Sequence, residues 1–193
     1  YTDNYSDNGD TVWSAEYTYT THATDTFSVI LTGDPQIGAS GSKSDKEAND
    51  MSVAQDAYNW NKTMQKAMEI LLSAGDQINE SNAGSEETKK TRESEYAGYL
   101  YPSVFRSLPI AATIGNHDKD GSDYTAHFNN PNSEDNLGST GAGCDFYFNN
   151  GNVLFISLNS NNRNQAEHRE FMKKAVASNP DAAWKVVVFH SDI

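Results

Sequence analysis

Four short polar clusters hold the residue types that could do chemistry in this chain: Gly33-Asp34-Pro35-Gln36, Gly75-Asp76-Gln77-Ile78-Asn79, Gly115-Asn116-His117-Asp118 and Phe189-His190. Carboxylates, amide oxygens and imidazoles are the donors that hold divalent cations. Four such clusters in one chain point to a metal site and to metal-assisted chemistry. Taken alone, an aspartate after a strand is a turn former or a helix cap, and a strand-end histidine is an ordinary buried polar residue with its hydrogen bonds made. It is the ordered set that signals a site.

Positioning such a set falls to the sheets. Each cluster follows an apolar run, at residues 27–31, 70–72, 110–114 and 186–189. Open α/β sheets bind ligands beyond the carboxyl ends of their strands, so strands that deliver Asp, Asn and His there bring distant residues together. Between the strands, Val53, Ala57, Trp60, Met64, Ala67 and Met68 keep helical spacing and predict a helix from about residue 52 that runs straight toward Ile70. Residues 39–50 read as a polar loop, residues 81–91 as another, and residues 92–103 as a second helix carrying Tyr96, Tyr99, Leu100 and Tyr101. Residues 118–143 form a long loop rich in Gly, Asn, Asp and Ser, where His127 and Phe128 either flank a substrate or anchor the loop.

Farther on, the strands 144–148 and 153–158 flank Asn149-Asn150-Gly151-Asn152, a strong hairpin signal because Asn and Gly tolerate positive φ. A third helix over 164–178 buries Phe171, Met172, Ala175 and Val176, leaves His168 in solvent and ends at Asn179-Pro180-Asp181. The strand 184–189 then presents His190.

The clusters and their order resemble the calcineurin-like metallophosphoesterase superfamily, whose motifs are Asp-x-His, Gly-Asp-x-x, Gly-Asn-His-Asp/Glu, a strand ending in His, and Gly-His-x-His. The chain supplies the first four in order between Asp34 and His190. The resemblance implies an α/β fold with four layers, α/β/β/α, built from two mixed sheets. It implies two divalent ions, Mn, Fe, Zn or Mg, that clamp a phosphoryl group and lower the pKa of a bridging water until hydroxide exists near neutral pH. By the same resemblance Asp76 bridges the ions, Asp34 belongs to the first, and Asn116 and His190 belong to the second. His117 assists the leaving oxygen, and Asp118 orients its ring. The implied activity is hydrolysis of a phosphomonoester or phosphodiester.

Three departures qualify that reading. Gln36 stands where many members have a histidine, and its amide oxygen is a weaker, neutral donor. Asn79 stands where purple acid phosphatases have the tyrosine whose bond to iron gives their colour, so no purple chromophore is expected. The final Gly-His-x-His is not in this sequence, and the resemblance implies a longer polypeptide that continues past Ile193. The rival reading is a surface or binding module that kept the fold and lost catalysis.

Composition narrows the partners. Among 193 residues, 14 basic face 27 acidic ones, a net charge of −13, which repels nucleic-acid backbones and acidic membranes. No apolar run reaches the roughly 20 residues of a membrane span, and the amino terminus lacks the basic start and apolar stretch of a signal peptide. With Cys144 alone, no internal disulfide forms; the thiol reads as a small buried hydrophobe. Abundant Asn, Ser, Thr and Tyr with few Lys suggest a secreted or surface-attached bacterial protein. Residues 1–25, with partial alternation at 13–21, read as the end of a preceding β-sandwich module, and residues 26–193 as the catalytic domain.

Overall fold

The computed structural model describes residues 2–3, 12–13, 15–19, 27–41, 46–64 and 70–193. A short ladder, β1 (Thr2–Asp3) with β2 (Val12–Trp13), lies at the start. Residues 15–19 are irregular, so the strand expected over 13–21 does not run through them; its other residues beyond Trp13 fall outside the described set.

β3 (Val29–Thr32), β4 (Ile70–Ser73) and β5 (Ile110–Ala112) form a parallel sheet in that order. The crossovers carry α1 (Lys46–Met64) and α2 (Glu86–Tyr99). A short helix, α3 (Asp123–His127), follows within the long loop after β5. The second sheet is mixed: β6 (Phe146–Asn150) pairs antiparallel with β7 (Val153–Leu158), and β7 pairs parallel with β8 (Trp184–Phe189) across α4 (Gln165–Ser178). The hairpin closes at the Asn150–Val153 pair, with Gly151 at φ +56°.

Three apolar clusters define the layers. Leu71, Ala112, Trp60, Met64, Tyr96 and Tyr99 join the first sheet to α1 and α2. Leu72 and Ala111 meet Phe146, Phe155 and Val188 between the two sheets. Leu154, Ile156 and Leu158 meet Phe171 and Ala175 of α4 on the far side. Successive side chains of a strand face opposite ways, so Leu71 and Leu72 serve different clusters. The result is the expected α/β/β/α order, with the first sheet wholly parallel rather than mixed. No helix among the described residues is long and apolar enough to cross a membrane.

Several expected boundaries move for physical reasons. α1 begins at Lys46, inside the predicted loop, because Lys, Glu and Ala favour helix; residues 65–69, through which the helix was expected to run toward Ile70, lie outside the described set. α2 begins at Glu86 because Ser85 caps it: the Ser85 hydroxyl accepts from the Thr88 amide, and the Thr88 hydroxyl accepts from that of Ser85. Glu86 and Glu87 suit the positive end of the helix. α2 ends at Tyr99, ahead of Pro102 and a 3-10 turn at Ser103–Arg106. In α4, Phe171 and Ala175 are buried as expected, but Val176 is 41% exposed and His168 is 2% exposed.

Candidate metal centre

The loops after β3 and β4 run side by side. The amides of Asp34, Gln36 and Ile37 donate to the carbonyls of Gly75, Asp76 and Gln77, at 3.2, 3.0 and 3.2 Å. This parallel zipper continues the sheet beyond its strands and sets Asp34 beside Asp76. Asp34, Gln36 and Asp76 hold positive φ, +51°, +38° and +54°, a conformation that costs a non-glycine residue on the order of 1–2 kcal/mol. Strain gathered on neighbouring residues of one loop pair is a mark of a functional site.

The flanking glycines are required by close approach. A Cβ on Gly75 would come within 2.6 Å of His190 Nδ1, and one on Gly115 would collide with the Asp76 amide and carboxylate. Gly75 and Gly115 therefore make room for His190 and Asp76, each a residue of another motif.

Asp34, Asp76 and His190 each present a donor atom, all within 4.8 Å of one another, from the ends of β3, β4 and β8. Asp34 is exposed, Asp76 is 2% exposed and His190 is half-buried. His190 Nδ1 lies 3.0 Å from the Ala74 carbonyl, which can only accept, so this nitrogen carries the proton. Nε2 then faces Asn116 Oδ1 at 2.9 Å and Asp76 Oδ1 at 3.4 Å. In a neutral ring this sets a lone pair against oxygen lone pairs. A cation among these atoms resolves that repulsion, and the backbone bond on the other nitrogen is the orienting contact that metal-bound histidines make. The donor set fits a divalent metal.

Around this centre, Gln36 Nε2 donates to Asp76 Oδ2 at 3.1 Å, so the amide serves as a donor to the carboxylate. The His117 amide donates to Asp76 Oδ1 at 2.9 Å. The His117 ring is fixed through Nδ1, 2.5 Å from the Asn79 carbonyl, which leaves Nε2 3.7 Å from Asp76 Oδ2. The expected orientation of this ring by Asp118 is not what the hydrogen bonds give. Asp118 is fully buried behind the loops, where Oδ2 accepts the amides of Asp76 and Gly115, both at 2.9 Å, and Oδ1 accepts the Tyr96 hydroxyl at 3.0 Å. Burial pushes the Asp118 carboxyl up to about 6 against the pull of those donors. Its geometry is that of a brace for the two loops.

His127 and Phe128 anchor rather than face a substrate. His127 stacks on Tyr96 with centroids 4.7 Å apart, and its Nε2 lies 3.2 Å from Glu93. Phe128 packs among Tyr96, Tyr99 and Tyr124. Cys144 is buried as expected, with its thiol raised by burial.

Sequence reasoning missed Asn79 as the holder of His117 and Asn161, which follows β7. Asn161 Nδ2 donates to the Gly115 carbonyl at 3.0 Å, while Ser160 Oγ accepts the Ser191 amide at 3.1 Å. One segment thus touches both the Asn116 loop and the His190 turn; an Asn-Ser-Asn-Asn run at a strand end was the available signal.

Comparison with known proteins gives the family and the fold. The family model described as calcineurin-like phosphoesterase matches residues 27–193. Among solved structures the chain is similar to a purple acid phosphatase, PPD1, isolated from yellow lupin (Lupinus luteus) seeds, with a TM-score of 0.56 and 16% identity; the match covers 94% of this chain and 34% of that one. The chain thus spans about a third of the length of that protein. No curated protein matches.

Proposed function

The chain belongs to the calcineurin-like phosphoesterase family, and from that membership we propose that it serves hydrolysis of phosphomonoesters or phosphodiesters at a dinuclear metal centre. The observation that carries the proposal is the convergence of Asp34, Asp76 and His190 donor atoms within 4.8 Å from three strand ends. Asp76 is assigned as the bridging ligand, Asp34 to the first ion, and Asn116 and His190 to the second. Two divalent ions so held would polarise the phosphoryl group and lower the pKa of the attacking water.

The remaining work belongs to the chain's own groups. Gln36 steadies Asp76 through its amide. His117 is held at its backbone by Asp76 and at Nδ1 by Asn79, so Nε2 is the ring nitrogen turned toward the centre, 3.7 Å from Asp76 Oδ2. When the ester P–O bond breaks, the departing oxygen keeps that bond's electron pair and takes a proton from Nε2. Asp118 braces the Asp76 and Gly115 amides beneath.

Elemental analysis of the purified protein together with hydrolysis of an aryl phosphate tests the reading. Stoichiometric bound divalent metal and metal-dependent turnover are expected. A protein that takes up no metal and turns over no ester refutes it and leaves the fold as a binding module.

A further inference from the structure

α2 turns Arg92, Glu95 and Tyr96 inward behind the centre, at the i, i+3, i+4 spacing of a single helical face. Arg92 is 0% exposed. Nε donates to Asp123 Oδ2 at 2.5 Å. One terminal nitrogen donates to the carbonyls of Glu80 and His117, at 2.7 and 2.8 Å, and the other to those of Asp118 and Asp120, at 3.4 and 2.8 Å. A guanidinium has five N–H donors in a rigid planar fork, and here each has an acceptor.

Most of these acceptors are main-chain carbonyls of the loops after β4 and β5, which carry Asp76 and Asn116. A cation used only for charge would seek carboxylates; this one organises backbone. The same nitrogen reaches the carbonyl of His117 and that of Glu80, the neighbour of Asn79, whose own carbonyl holds the His117 ring. The guanidinium therefore fixes His117 at its backbone and, through the adjacent loop, at its imidazole. Glu95 completes the clamp by accepting the amides of Asn79 and Glu80, at 2.9 and 2.7 Å.

We propose that Arg92 is a positioning residue for the leaving-group side of phosphoester cleavage, holding His117 Nε2 where it can protonate the departing oxygen. The proposal rests on the phosphoesterase reading above. Lysine keeps the charge but has three donors on a flexible stem and no planar fork, so it cannot make all five contacts and leaves part of the clamp unmade.

The test uses the metal-loaded protein and the variants R92K, H117N and R92K/H117N. Two readouts are taken: kcat/KM over aryl phosphates whose phenols span a range of acidity, and amide hydrogen exchange in residues 115–121 and 78–80. R92K is expected to lose about tenfold more rate on the poorest leaving group than on the best, as misplacement of an acid does. The double variant should be no slower than H117N on that substrate, and exchange should quicken in the two loops while β7 stays unchanged. Equal loss on all leaving groups, or losses that multiply in the double variant, overturn the proposal. A wild-type protein that hydrolyses none of the esters refutes the phosphoesterase reading; exchange then decides alone, and unchanged protection in R92K refutes the clamp. Should R92K not fold, D123N keeps the arginine and weakens one of its partners, and the same pattern is expected in smaller measure.

Discussion

Asp76 and His117 are joined twice: Asp76 Oδ1 accepts the His117 amide at 2.9 Å, and Asp76 Oδ2 lies 3.7 Å from His117 Nε2. A buried carboxylate at the end of β4 thus locates both the backbone and the ring of a histidine that follows β5. Placement of the proposed bridging ligand and placement of the proposed proton donor are one geometric fact.

Asp76→Asn removes the charge and replaces the oxygen that accepts from the Gln36 amide with a donor. Asn adopts positive φ as readily as Asp, so the loop conformation at φ +54° survives, and the amide oxygen still accepts from His117. The variant is expected to fold with an unchanged circular dichroism spectrum. It should bind divalent metal more than about a hundredfold more weakly, beyond the loss typical of groups that only support ligands, and lose turnover in proportion. Metal titration by calorimetry checks it, and wild-type affinity in the variant would remove Asp76 from the ligand set.

Gly115→Ala probes the close approach from the other side. Its Cβ would meet the backbone amide and carboxylate of Asp76, neither of which is the loose end of a flexible side chain. Overpacking of this kind costs about 1–3 kcal/mol. A fall in the urea midpoint accompanied by weaker metal retention is the expected result. Weaker stability with full metal affinity would mean that the Asp76 loop yields without disturbing the centre.

The parts of the site legible in the sequence were those written as strand-then-side-chain: Asp34, Asp76, Asn116 and His190 each follow an apolar run, and the sheets bring them together. What sequence could not show was the role of backbone. Asn79 acts through its carbonyl, a group every residue has, so nothing in the sequence marks it out. Asp118 was assigned to the neighbouring ring through the family resemblance, whereas its carboxylate points to amides and to a tyrosine brought there by α2. The α2 start was hidden because its capping pair is Ser85 with Thr88 instead of Ser with Glu. His168 was within reach: it lies three and seven residues before Phe171 and Ala175, the buried residues of the same face, but its polarity placed it in solvent.

Asn161→Ala tests whether the segment after β7 aligns the candidate site. The variant leaves the Gly115 carbonyl without its side-chain donor, a loss of about 1 kcal/mol for a part-buried hydrogen bond. Since Asn116 is the next residue, metal binding is expected to weaken more than this stability loss alone accounts for. Parallel urea unfolding and metal titration separate the two effects. A stability change with no change in affinity would confine Asn161 to holding the fold.

His168 carries the pH prediction. Its Nδ1 lies 2.7 Å from Asp145 Oδ2 and its Nε2 2.8 Å from the Asn162 carbonyl. Burial opposes charge on the ring, yet the Asn162 carbonyl and Asp145 carboxylate together hold its pKa above the ordinary 6.5. Burial also raises Asp145, against the Asn159 amide and His168. A histidine whose folded pKa lies above its unfolded value contributes stability that is complete below 6.5 and is lost as pH rises through the folded pKa. Asp145 contributes with the same sign, and so does Asp118, from a lower starting point. The wild-type urea midpoint is therefore expected to fall as pH rises above 6.5 through the folded pKa of His168. His168→Gln removes the titrating ring and leaves Asp145 buried without its charged partner, at a cost of about 3 kcal/mol. Its midpoint should be lower throughout and decline less above pH 6.5, because the ring that gives up its proton there is gone. A decline as steep as that of the wild type would show that His168 is neutral in the folded protein at pH 6.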